Sequence, residues 1–169
     1  RHYAAAFLRD PIDALTVNPM LGTDSVMPFL DAAADGGRGL FVLVRTSNPG
    51  AAELEDLEMA DGRPWHEAVA DRVRQWGQAT TVPGQGSSIG AVVGATVPER
   101  IHRLRELMPD QPFLLPGVGA QGGDPAALGP AFGGRAHGAL VSASRSVIYA
   151  DDPAAAAHDL RAVVWSAWE

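Results

Sequence analysis

Phe113-Leu114-Leu115-Pro116-Gly117-Val118-Gly119-Ala120-Gln121-Gly122-Gly123-Asp124-Pro125 reads as a short buried strand, a glycine-rich loop and the start of a helix. A second segment of the same kind follows, with Ala139 to Val141 as the strand and Ser142-Ala143-Ser144-Arg145-Ser146 as the loop after it. Both loops open at the same end of a parallel sheet. Their residues suit an anion: glycines let backbone N–H groups approach it, Gln121 offers an amide donor, and Arg145 offers a guanidinium fork that matches two phosphate oxygens.

Upstream, the same strand-then-helix rhythm repeats. Ala14 to Asn18 is a strand followed by Pro19, and Asp24 caps a helix that runs to Ala34 and stops at Gly36-Gly37. Leu40 to Val44 is apolar on both faces, as a buried parallel strand should be. Trp65, Val69, Val73 and Trp76 recur at helical spacing, so their aromatic rings belong to the core. Ile89 to Val93 is the third strand, and Pro98 to Met108 the helix after it. The fourth helix runs from about Pro125 to Phe132, and Asp151-Asp152-Pro153 caps a last one with Leu160, Val163, Val164 and Ala167 on one face.

Five βα units point to an α/β fold of the (β/α)₈ barrel type, present as its last five units. In such barrels the loops after the last two strands commonly grip a phosphate. A closed barrel takes roughly 250 residues, so about three units are expected before Arg1. Residues 1–8, with Tyr3, Phe7 and Leu8 on one face, read as the end of a preceding helix, and residues 1–169 as the C-terminal part of one barrel domain. The apolar edges of an open sheet would invite self-association.

Composition narrows the chemistry. All 13 basic residues are arginine, so no ammonium side chain is available as acid, base or Schiff-base former. The formal charge of −7 argues against nucleic-acid or anionic-membrane binding while leaving room for one local phosphate site. With no cysteine, disulfides and thiolate metal sites are excluded. The polar start, Arg1 to Asp10, does not resemble a signal peptide, and no 18-residue apolar run exists, so cytoplasm is expected. His2, His66, His102, His137 and His158 lack metal-ligand spacing, and His102 among Arg100, Arg103 and Arg105 reads as a solvated helix face. The run Glu53, Glu55, Asp56 and Glu58 reads as a solvated turn. Gly117-x-Gly119-x-x-Gly122 fits a dinucleotide fingerprint in form, but the next strand ends without the acidic residue that would hold a ribose. Trp165 and Trp168 fit either an interface or docking of the final helix.

Each site residue also has a plainer reading. Arg145 could be a surface arginine at a helix start, Gln121 a loop brace, Ser47 a cap, and Asn18 a turn former.

Leu15-Thr16-Val17-Asn18-Pro19, Val44-Arg45-Thr46-Ser47-Asn48-Pro49-Gly50, Val93-Gly94-Ala95-Thr96, Pro116 to Asp124 and Ser144-Arg145-Ser146, in this order, resemble orotidine 5′-phosphate decarboxylase in its longer bacterial variant. Met20 stands where that family usually has Tyr. The resemblance implies that Gln121 and Arg145 hold the 5′-phosphate, helped by the backbone N–H groups of Ser144 and Arg145. It implies that Ser47 bonds the pyrimidine edge and touches Gln121, that Gly122 and Asn18 line the substrate, and that the loop from Val118 to Pro125, with Gly119 and Gly123, is a lid. It further implies decarboxylation of the nucleotide to uridine 5′-phosphate in pyrimidine biosynthesis, no cofactor and no metal, and a homodimer at full length. The family's lysine sits in an Asp-x-Lys-x-x-Asp array that should stand before Arg1, so the chain alone is expected to bind poorly and not to catalyse. A different phosphosugar barrel enzyme and a non-catalytic phosphate-binding fragment are the alternatives.

Overall fold

The computed structural model describes residues 2–9, 11–119 and 121–169. The expectations that touch Arg1 and Ala120 lie outside the described residues. The elements are α1 (His2–Phe7), β1 (Ala14–Val17), α2 (Thr23–Gly36), β2 (Gly39–Arg45), α3 (Ala51–Leu54), α4 (Trp65–Gly77), β3 (Ile89–Val93), α5 (Pro98–Leu107), β4 (Phe113–Leu115), β5 (Ala139–Val141), α6 (Arg145–Ile148) and α7 (Pro153–Trp168). A 3-10 helix, Pro125–Phe132, occupies the connection between β4 and β5. Pro130 and Gly129 within it disfavour a regular α-helix, which is why this segment departs from the helical expectation.

All neighbouring strands pair in parallel, and their spatial order, β1-β2-β3-β4-β5, is their chain order. Every crossover therefore steps the same way around the sheet. An open doubly wound sheet reverses direction at a switch point; this one does not, so it is an arc of a (β/α)₈ barrel. β1 and β5 are its two edges.

The core is deepest around β3, whose five residues are all buried. α4 lays Val69, Ala70 and Val73 over one side, and α5 lays Ile101 and Leu104 beside them, with Met108, Phe113, Leu115 and Leu128 completing the layer. Removing these side chains from water is the main stabilising term.

Several local expectations are corrected. Asp24 does not cap α2: the helix begins one residue earlier, at Thr23, behind Gly22, and Asp24 instead sits in the first turn, where its charge complements the helix dipole. In α7, Leu160, Val164 and Trp168 pack against the core while Val163 is exposed. His102 is exposed as expected, but Arg105 is buried. The Arg105 guanidinium stacks on the Phe113 ring, 3.8 Å from its centroid, and donates to the carbonyls of Ala131 (2.6 Å), Met108 (2.7 Å), Gln111 (2.8 Å) and Gly138 (3.0 Å). Among the described residues it has no carboxylate ion-pair partner, and burial pulls its pKa down to about 10. This one side chain ties α5 to the segments that lead into β4 and β5.

Candidate functional site

The C-terminal ends of the strands carry the residues singled out above. A β-bulge interrupts the β2–β3 register, since Leu43 pairs with Val92 and Arg45 with Val93. The extra residue, Val44, turns Arg45 inward instead of leaving it in strand alternation. The Gly94 N–H then donates to the Arg45 carbonyl at 2.6 Å, drawing the end of β3 against the loop after β2. A Cβ at Gly94 would stand 2.9 Å from both N and Cα of Ser47, so only glycine lets that loop sit so close.

Gly117, at φ +101°, does the same from the next strand. A Cβ there would stand 2.8 Å from Ser47 Cβ and 2.9 Å from Gln121 Oε1, so the missing side chain leaves room for both Ser47 and Gln121; the expected Ser47–Gln121 contact is not made as a hydrogen bond among the described residues. The Ser142 N–H donates to the Leu115 carbonyl at 3.0 Å and brings the loop after β5 alongside.

Together these loops enclose a polar cavity of about 220 Å³ lined by Ser47, Pro116, Gly117, Val118, Gln121, Ser142, Ala143, Ser144 and Arg145. Five of the sequence-derived site residues, Ser47, Val118, Gln121, Ser144 and Arg145, thus meet in one place. The Arg145 side chain is exposed and makes no hydrogen bond or ion pair among the described residues. The N–H groups of Ala143, Ser144 and Arg145 are likewise not taken up there. A cavity with a partnerless guanidinium, an amide, three serines and unspent N–H groups is built for an oxyanion.

Other expected residues stand apart. Asn18 Oδ1 accepts from the Met20 N–H at 2.9 Å, a turn brace outside the cavity lining. The N–H groups of Gly119, Gly122 and Gly123 are taken up within the loop itself: Gly119 donates to Gly123 O, Gly122 to Gly119 O, and Gly123 to Gly117 O. Val118 lines the cavity but is anchored in the core, so it is a foot of the loop and not its tip. A Cβ at Gly119 would stand 3.0 Å from Ser146 Oγ, so this loop lies close against α6.

The acidic run is the largest correction at the site. Glu55 and Asp56 are not solvated: Arg45 forms a two-point fork to Asp56, Nε to Oδ1 and Nη2 to Oδ2, each 2.9 Å. Glu55 accepts from the Thr46 N–H at 2.7 Å and from Thr46 Oγ1 at 2.9 Å. His66, fully buried, places Nδ1 2.8 Å from the Glu55 carbonyl and 3.1 Å from Asp56 Oδ1, so that nitrogen carries the proton. Arg45's hydrogen bonds hold the Asp56 carboxyl below the usual carboxylate range, and burial pushes the His66 pKa down. Sequence spacing gives no direct sign of this network, because it joins positions nine to eleven residues apart through a bulge. Among the described residues no group of three or more His, Asp or Glu could hold a metal.

The family model for orotidine 5′-phosphate decarboxylase / HUMPS matches residues 1–160. Orotidine 5′-phosphate decarboxylase of Halorubrum lacusprofundi is 47% identical over 157 residues, covering 90% of this chain and 52% of that protein. The Haloarcula marismortui enzyme of the same name is 49% identical over 148 residues, covering 87% of this chain and 49% of that protein. The solved OMP decarboxylase of Leishmania donovani superposes with a TM-score of 0.77 at 35% identity, covering 97% of this chain and 62% of that one. The chain therefore spans about half the length of the curated relatives it matches.

Proposed function

Because the chain belongs to the orotidine 5′-phosphate decarboxylase / HUMPS family, we propose that it supplies the phosphate- and pyrimidine-binding half of an enzyme converting orotidine 5′-phosphate to uridine 5′-phosphate. The observation that carries this reading is the meeting of Ser47, Gln121 and a partnerless Arg145 in one polar cavity. Arg145 and Gln121 hold the 5′-phosphate with the N–H groups of Ser144 and Arg145, and Ser47 bonds the pyrimidine edge. The loop around Gly119 and Gly123 closes over the phosphate against α6.

Loss of CO₂ leaves an electron pair on the ring carbon, which needs a nearby cation and then a proton. An arginine holds its proton too tightly to give it up near neutral pH, and this chain has no lysine. The chemical step therefore requires an ammonium from outside these 169 residues. Contacts to the remote phosphate still serve that step, because binding energy gained on closure can be expressed at the reacting carbon. The complete enzyme works as a cytoplasmic homodimer; no described helix is long and apolar enough to cross a membrane.

Titration of the chain with uridine 5′-phosphate, ribose 5-phosphate and inorganic phosphate tests the reading. The expected result is tightest binding of the uridine nucleotide. Equal affinity for all three would favour another sugar-phosphate enzyme, and no binding of any would remove the cavity from consideration. Purified chain alone is expected not to release CO₂ above background, and turnover by it would refute the lysine argument.

A further inference from the structure

The acidic stretch after β2 lies beside the cavity without lining it, yet its two half-buried carboxylates are fully committed. Glu55 accepts from the Thr46 N–H and shares the one Thr46 hydroxyl proton with Asn48 Oδ1, which stands 2.7 Å from Oγ1. The Arg45–Asp56 fork holds the residue before Thr46, and a further bond from Arg45 Nη1 to the Thr46 carbonyl, 2.6 Å, closes the bracket. Thr46 is thus fixed on N–H, side chain and carbonyl at once. Ser47, the next residue, has its backbone seated against Gly94 and its side chain beside the open position of Gly117.

From this bracket we propose that Glu55 is a positioning residue: it sets the angle at which Ser47 enters the cavity, and so the discrimination between a pyrimidine nucleotide and a bare phosphate. This rests on the reading of Ser47 as the pyrimidine contact. Two features separate it from ordinary loop stability. Both carboxylate oxygens hydrogen-bond Thr46, with Arg45 Nη1 a further 3.8 Å from Oε2, and Thr46 adjoins the site. The neighbouring Glu53 is exposed on α3, two residues before Glu55 at that helix's C-cap, which makes it a control for charge.

The test uses the whole 169-residue chain with Glu55→Ala, Glu55→Gln, Ser47→Ala and Glu53→Ala. In the free chain, ¹⁵N relaxation is expected to show the Ser47 amide dropping from a rigid order parameter of about 0.85 to below about 0.6 in Glu55→Ala, with β3 unchanged. Preference for uridine 5′-phosphate over inorganic phosphate is expected to fall about fivefold in Glu55→Ala, as in Ser47→Ala, the size of one lost hydrogen bond. Phosphate affinity itself should stay constant, because Arg145 and Gln121 are untouched. Glu55→Gln, which keeps one acceptor oxygen, should lie between, and it also serves if the alanine variant does not fold. Glu53→Ala should match the unsubstituted chain. A rigid Ser47 in Glu55→Ala, or an unchanged preference where Ser47→Ala lowers it, overturns the proposal. If the unsubstituted chain shows no preference for the nucleotide, the pyrimidine role of Ser47 falls instead, and the order parameter alone decides whether the bracket exists.

Discussion

The middle of the sheet and its β5 edge are built to different standards. β3 is buried along its whole length, and α4 and α5 each bury several side chains over it. At the other side, neither α6 nor α7 buries a single residue completely, Leu140 of β5 is 54% exposed, and an apolar groove of about 420 Å³ runs between β5 and α7. The cavity straddles this boundary. Ser47 and Gly117 stand on the well-packed side and Arg145 on the loosely packed one, so the proposed phosphate role places its cation on the part of the molecule with least packing behind it.

The contrast can be broken most forcefully at Phe113. Phe113→Ala leaves a hole under Arg105 and is expected to cost about 3–5 kcal/mol in a urea unfolding experiment. Trp165→Ala, on the exposed face of α7, should cost less than about 1 kcal/mol. Comparable losses at the two positions would mean that the two sides do not differ. Arg105→Met comes next, since it keeps bulk but leaves four carbonyls without their donor, at a cost of about 2–3 kcal/mol. Because two of those carbonyls, Ala131 and Gly138, lead into β5, amide exchange should accelerate there more than in β3.

A smaller effect lies in acid. Burial lowers the His66 pKa in the folded chain, so the unfolded chain takes up the proton first, and stability begins to fall once pH drops below the ordinary histidine value of 6.5. The fork from Arg45 lowers the Asp56 pKa, so its contribution is held above the ordinary value of 3.8 and is lost as pH falls below that. Unfolding midpoints measured against pH should show both stages, and His66→Asn, which keeps a donor near Nδ1, should lose the upper one. Persistence of the upper stage in that variant would assign it to another group.

Much of this was legible in the order of residues. The continuous apolar runs of β3 and β4 and the heptad-like spacing of Trp65, Val69, Val73 and Trp76 are local signals that survive without tertiary information. Gln121 and Arg145 could be placed together because strand ends in a parallel barrel share one rim, whereas Ser47 joined them only through the family resemblance. Arg105 was legible in principle, since Ile101, Leu104 and Met108 mark the inner stripe and position 105 lies on it, but a charge read by type looks solvated. The bracket of Glu55 and Asp56 was not, because it depends on a bulge that no residue type announces. Nor was the self-closure of the glycine loop, since the same glycines fit an anion nest or a turn equally well.

The convergence of Arg145 and Gln121 on a single anion is tested most directly by titrating uridine 5′-phosphate into the chain and into Arg145→Ala, following the ³¹P signal. Removing an exposed, partnerless guanidinium should leave the unfolding midpoint where it is and weaken nucleotide binding at least about tenfold. Equal affinity in the two proteins would place the phosphate elsewhere and contradict the site described here.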